Sequence, residues 1–159
     1  MTRPRGLLFV LFFALVGGAL GIVAGLHEYS RQSDLVFMVN YAQTVNVIGA
    51  IETNKRTAVL DATGVVLALY RKQFGTIPVE IAGAPEPLDV AAAWQENGRG
   101  LTLPATARLW RVSGTDEKAF NAPGKPAQVT VQETAATPVG RTLTVPPMSA
   151  SLYLPAVTR

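Results

Sequence analysis

The pattern of the chain changes at Gly75. Before it, apolar residues come in one long run or at helical spacing. After it they come in short stretches separated by Gly, Pro and Asn. These stretches are Ile77–Ile81, Leu88–Trp94, Gly100–Leu103, Ala107–Val112, Gln128–Gln132, Thr142–Val145 and Ser149–Leu154. Several alternate with period two, as in Thr142-Leu143-Thr144-Val145 and Ser149-Ala150-Ser151-Leu152-Tyr153-Leu154. Alternation places successive side chains on opposite faces of a strand. Short strands punctuated by turn residues predict a small antiparallel β-sandwich over 76–159. Asn97-Gly98 predicts a hairpin turn between Trp94 and Leu101. Ala119–Ala127, with Pro123, Gly124 and Pro126, predicts a loop.

The N-terminal part reads differently. No charged residue occurs from Gly6 to Leu26; Arg3 and Arg5 precede this run, and His27, Glu28 and Arg31 follow it. A helix of ~20 apolar residues spans a bilayer core, so hydropathy predicts one continuous apolar helix within 1–27 that the rest of the chain leaves uncovered. As a membrane anchor, its preceding arginines would keep the N-terminus inside and place the sandwich outside. A cleaved signal peptide is an alternative, though no clean A-x-A site follows the run. A buried helix of a soluble cytoplasmic protein is another. Gly17, Gly21 and Gly25 recur every four residues, which gives a helix a smooth face where two copies could pair.

Between these parts, 28–75 reads as helical. Ser33 and Asp34 are good N-cap residues before Leu35, and a helix is expected from Leu35 to about Val47. Asn40, Gln43 and Asn46 would then form an amide stripe on one side. That stripe reads either as a set of satisfied hydrogen bonds or as a polar patch facing a ligand. Glu52–Arg56 reads as a loop. Thr63 is a candidate cap for a helix over Val65–Phe74, stopped by Gly75. The expected class is α+β: a long apolar N-terminal helix and short helices, followed by the small sandwich.

Composition removes several function classes. The 159 residues suffice for one domain. The net charge of +3 comes from scattered basic residues, whereas nucleic-acid binding clusters them on one face. The chain has no Cys and one His, so thiolate chemistry and multi-His metal sites are excluded. No cofactor and no metal are expected.

Several blocks resemble one family, in order. Ala24-Gly25-Leu26-His27-Glu28-Tyr29-Ser30-Arg31-Gln32-Ser33-Asp34 is similar to a late barrel helix of the glycoside hydrolase family 51 α-L-arabinofuranosidases. Asn40-Tyr41-Ala42-Gln43-Thr44-Val45-Asn46-Val47-Ile48-Gly49-Ala50-Ile51 is the most specific match. Leu69-Tyr70-Arg71-Lys72-Gln73-Phe74-Gly75-Thr76-Ile77-Pro78-Val79 follows at the family's spacing. Pro87–Trp94 resembles an opening strand of the family's C-terminal sandwich, and Ala119–Pro126 and Leu143–Tyr153 resemble its closing segments. The resemblance covers Ala19 to Pro155.

The resemblance implies the C-terminal portion of an enzyme that pairs a (β/α)₈ barrel with a sandwich and removes terminal arabinofuranosyl units with retention. Such chemistry needs two carboxylates about 5 Å apart. In the family both lie upstream of the blocks matched here. None of Glu28, Glu52, Glu80, Glu86, Glu96, Glu117 or Glu133 stands in a matching context. No catalytic residue is therefore assigned, and the chain is expected not to hydrolyse glycosides alone. Gln43 matches the family glutamine that hydrogen-bonds bound arabinose, and it is the single substrate-binding candidate. Met1–Gly18 does not resemble the family. The link from Leu103 to Ala105 is shorter than the family's, which implies a sandwich lacking a hairpin.

Three functions follow as expectations. The first is a non-catalytic arabinofuranosidase-like protein. The second is a membrane-anchored sandwich that binds a partner or an arabinose-containing glycan, with Trp94, Trp110, Phe120 and Tyr153 as its aromatic candidates. The third is a subunit completing a separately encoded barrel fragment. Trp94 and Trp110 lie in strand patterns and read as core.

Overall fold

A computed structural model describes residues 16–82, 88–94, 105–139 and 145–155. In chain order the elements are α1 (Val16–Arg31), β1 (Ile51–Thr53), β2 (Ala58–Leu60), α2 (Ala62–Gln73), β3 (Ile77–Val79), β4 (Ala92–Trp94), β5 (Thr106–Ser113), β6 (Thr130–Pro138) and β7 (Ser149–Pro155).

The expected long apolar helix is corrected by α1. Its 16 residues continue past Leu26 through His27, Glu28 and Arg31, well into the polar sequence. Among the described residues no helix is long and apolar enough to cross a membrane. Nor is α1 uncovered: Ala19, Ile22, Val23 and His27 are buried. Their spacing of three, four and eight from Ala19 defines one helix face. That face packs with Ala62, Val66 and Leu69 of α2 in a single core. Hydropathy alone misreads it because an uncharged stretch looks the same whether lipid or a second helix covers it. Gly6–Leu15 of the apolar run lies outside the described residues.

Helix α2 begins earlier than the Thr63 cap implies. Asp61 holds the extended N-cap conformation, and Ala62, Thr63 and Gly64 already lie buried in the first turn. The helix ends at Gln73, and Phe74 is extended. Gly75 is needed for contact rather than for a left-handed stop: a Cβ there would stand 2.4 Å from the Trp94 carbonyl oxygen. The Thr76 N–H donates to that same oxygen at 2.9 Å, seating β3 against β4.

The expected helix over Leu35–Val47 does not form. After a turn at Gln32–Leu35 the chain runs as an irregular ribbon, with one parallel bridge from Val45 to Ile51. Gln43, Asn46 and Val47 have positive φ values of 62°, 55° and 58°, which breaks any helix. The segment also carries Val36, Val39, Thr44, Val45 and Val47, β-branched residues that weaken helices. The turn is held by the next element: the Asn46 N–H donates to Ile51 O at 2.8 Å, and Ile51 N–H donates to Thr44 O at 3.0 Å. Within the expected loop at Glu52–Arg56, Glu52 and Thr53 instead pair with Val59 and Ala58 in the β1–β2 hairpin.

After Gly75 the described strands are antiparallel, but they form a separate β3–β4 pair and one three-stranded sheet in the order β6-β5-β7. Trp110, Val112 and Ala150 on the sheet join the α1–α2 core, with Leu152 and Leu154 packed against it. The helix pair thus covers one face of the described three-stranded sheet. The Asn97-Gly98 hairpin and the stretches Gly100–Leu103 and Thr142–Thr144 lie outside the described residues.

Candidate functional site

Three places on this frame carry polar chemistry. The first is the ribbon. Gln43 is exposed on it, in the left-handed backbone conformation rather than on a helix. Asn40 is exposed with its amide on the Met38 sulfur, while Asn46 Oδ1 accepts from the Thr53 N–H at 2.7 Å and from the Thr53 hydroxyl at 3.1 Å. The three amides therefore form no helical stripe: Asn46 fixes the ribbon to β1, and Gln43 stands at the surface. Around Gln43 the ribbon exposes large apolar side chains. Leu35 is 79% exposed, Phe37 95% and Val47 83%.

The second place is a cluster around His27, at the C-terminal half of α1. Its Nδ1–H donates to Asp89 Oδ2 at 3.0 Å, and its Nε2 accepts from the Tyr70 hydroxyl at 2.7 Å. The carboxylate selects this tautomer. Arg31, one turn on, bonds the other Asp89 oxygen, the Val90 carbonyl and Glu28. The Phe74 ring stacks beside His27, with centroids 6.3 Å apart. The cluster ties α1, α2 and the 88–90 segment together. It was not legible in sequence, because Tyr70 and Asp89 lie 43 and 62 residues from His27.

Burial lowers the His27 pKa below its usual value, against the opposing pull of Asp89. The unfolded chain therefore takes up this proton first as pH falls. Stability is fully present above pH ~6.5 and declines as pH drops from there towards the lowered folded pKa. Thermal unfolding followed between pH 7.5 and about 5 should show this slope. His27→Gln, which cannot titrate, should remove it. An equal slope in the variant would assign the pH dependence to other groups.

The third place is a cleft of about 300 Å³ lined by Val47, Glu52, Asp61, Phe120, Asn121, Ala122 and Pro123. Asp61 reaches it from the N-cap of α2. The residue is fully buried, and neither carboxylate oxygen receives a hydrogen bond of ordinary geometry. Desolvation pushes its pKa up, and the neighbouring Glu52 charge adds to this. The nearby N–H groups of Ala62, Asn121 and Thr63 pull it the other way. Asn121 is also buried but wholly satisfied. Its Nδ2 donates to Leu60 O at 3.0 Å and Val129 O at 2.9 Å, and its Oδ1 accepts from the N–H groups of Gln128 at 3.0 Å and Val129 at 2.9 Å. Sequence reading missed both residues; the turn-rich Ala119–Ala127 text was the available signal.

Trp110 is buried in β5, as its strand pattern suggests, while Trp94 is half-buried in β4. Phe120 is exposed on the cleft rim. Among the described residues, no group of three His, Cys, Asp or Glu side chains is placed to hold a metal.

Comparison with known proteins agrees with this geometry. The profile described as the alpha-L-arabinofuranosidase C-terminal domain matches residues 16–149. Among solved structures, the chain is similar to the thermostable GH51 alpha-L-arabinofuranosidase from Thermotoga petrophila RKU-1. The identity is 23% and the TM-score 0.64, over 86% of this chain and 37% of that one. It is also similar to alpha-L-arabinofuranosidase from Thermotoga maritima, solved as an arabinose complex. There the identity is 22% and the TM-score 0.68, over 87% of this chain and 38% of that one. At these identities the likeness shows the fold, and the chain spans less than two-fifths of either relative. Among curated proteins, none matches. With most of its length inside the matched profile, the chain belongs to the alpha-L-arabinofuranosidase C-terminal domain family.

Proposed function

We propose that this chain is a non-catalytic part of an α-L-arabinofuranosidase and acts by packing its 35–48 ribbon against a catalytic barrel portion. Gln43 then becomes a substrate-binding residue at the junction, donating to or accepting from a hydroxyl of an arabinofuranosyl unit. The observation that carries this reading is the ribbon's exposure. Leu35, Phe37, Met38, Val39, Val45, Val47 and Ile48 all stand open to solvent, and a contiguous apolar surface of this kind marks a contact with another protein surface. The family membership supports a barrel as the partner surface, and the arabinose complex of the T. maritima relative supports an arabinofuranosyl ligand. The barrel portion is supplied by a separate polypeptide or by further sequence joined to this one.

The purified chain incubated with 4-nitrophenyl α-L-arabinofuranoside is expected to match the buffer blank. Adding a barrel fragment of a family relative that lacks its own C-terminal portion is expected to restore turnover. In that mixture Gln43→Ala should lower kcat/KM about tenfold to a hundredfold, the cost of an unmade hydrogen bond to substrate. Turnover by the isolated chain that vanishes on mutating a single Glu would overturn the proposal.

A further inference from the structure

We infer that Asn46 is a positioning residue for Gln43: its side chain, clamped on Thr53, holds the 43–49 turn in the left-handed shape that presents Gln43 to its ligand. The inference rests on the substrate-binding role proposed for Gln43. The turn is strained. Gln43, Asn46 and Val47 take positive φ values of 62°, 55° and 58°, where an L side chain crowds the following carbonyl. Asn tolerates this region, whereas a β-branched residue is a genuine outlier there. Val47 is also 83% exposed, so burial of its side chain does not offset the strain. Such a conformation persists only where the surrounding structure over-determines it.

The bonds that do so converge on Asn46. Its N–H donates to Ile51 O at 2.8 Å, and its carbonyl accepts from the Gly49 N–H at 2.7 Å. Its Oδ1 accepts from the Thr53 N–H at 2.7 Å and from the Thr53 hydroxyl at 3.1 Å. The Ile51 N–H donates to Thr44 O at 3.0 Å, so β1 grips the chain on both sides of Val45. From the other end, Tyr41 packs against the core and its hydroxyl donates to Ile48 O at 2.8 Å. Gly49 lets the turn close: a Cβ there would stand 2.7 Å from the Val45 backbone. Gln43 itself is exposed, and its amide has no partner among the described residues. A side chain without a bond of its own is placed by the backbone that carries it. A backbone fixed before the ligand arrives reduces the ordering cost of binding.

The test compares Asn46→Gly, Asn46→Ala and Asn46→Asp. Glycine accepts the positive φ but lacks the clamp, while aspartate keeps both the acceptor and the tolerance of that φ. In the isolated chain, the heteronuclear NOE at the Gln43 N–H is expected to fall in Asn46→Gly and Asn46→Ala and to hold in Asn46→Asp. In the mixture with the barrel fragment, Asn46→Gly is expected to raise KM about tenfold while kcat stays within about twofold. The double variant Gln43→Ala, Asn46→Gly should be no worse than Gln43→Ala, because Asn46 acts through Gln43. Additive losses in the double variant would overturn the inference. So would a wild-type NOE at Gln43 in Asn46→Gly, or an equal loss of order in Asn46→Asp. If Asn46→Ala unfolds the chain, Asn46→Gly carries the comparison. A mixture in which the wild-type chain leaves the barrel fragment inactive would refute the barrel reading instead, and the NOE comparison then decides the positioning role by itself.

Discussion

Gly64→Ala is expected to destabilise the fold by about 1–3 kcal/mol, although alanine is the better helix former. Gly64 lies in the first turn of α2, against the residue before β1. A Cβ there would stand 2.1 Å from the Ala50 carbonyl oxygen and 3.0 Å from its carbon, with a Leu60 methyl at 3.2 Å. The nearest obstacle is backbone, so it cannot swing aside. Moving it would also break the bond from the Asp61 N–H to Ala50 O, now 3.0 Å. Overpacking costs about 1–3 kcal/mol and the lost hydrogen bond about 1 more. Helix propensity returns only about 1 kcal/mol. Against a typical stability of 5–15 kcal/mol, the thermal midpoint should fall by roughly 2–12 °C. Gly25→Ala is the comparison. Its Cβ would meet only a Tyr29 ring carbon at 4.0 Å, so that variant should be as stable as wild type or more so. Equal midpoints for wild type and Gly64→Ala would show that the hairpin does not rest on α2.

Some of this architecture is legible along the chain, and the reason is local. Helix α2 and strands β5 and β7 are set by apolar spacing within a dozen residues, so the period reveals them. The α1 run shows the limit of that logic. Its lack of charge says that something apolar covers it, but the identity of the cover is a property of α2, some 40 residues on. At Leu35–Val47 the cap residues Ser33 and Asp34 point to a helix, yet bonds to Ile51 and Thr53 hold the chain in left-handed turns. A local signal yielded there to a partner just outside the window. Gln43 was singled out twice, by the three-residue spacing of an amide stripe and by family resemblance, and the first signal belonged to a helix that positive φ values at Gln43, Asn46 and Val47 break. Asp61 and Asn121 were missed for a related reason. Asn121 bonds Leu60, 61 residues away, and no period encodes such a pairing.

Asn121→Ala is expected to cost about 3–5 kcal/mol and to disorganise the cleft along with the core. The side chain is buried and uses all four of its hydrogen-bonding positions, two as donor and two as acceptor. Truncation leaves the Leu60 and Val129 carbonyls and the Gln128 and Val129 N–H groups without this partner. Val129 is itself fully buried, so water replaces the amide poorly there, and each unsatisfied group costs about 1–3 kcal/mol. The same side chain bridges Leu60, next to Asp61, and the Phe120–Pro123 wall. Losing it should free both sides of the cleft. Two readouts separate the effects: urea unfolding for stability, and the amide NMR shifts of Glu52 and Phe120 in the folded fraction for the cleft. Asn121→Asp sharpens the test. It keeps the acceptor, loses the donors and places a second carboxylate close to Asp61. Its deficit should therefore shrink as pH falls and these carboxyls protonate. An Asn121→Ala protein with wild-type stability would mean that water or backbone rearrangement satisfies Val129, and that the loop holds its place without the amide.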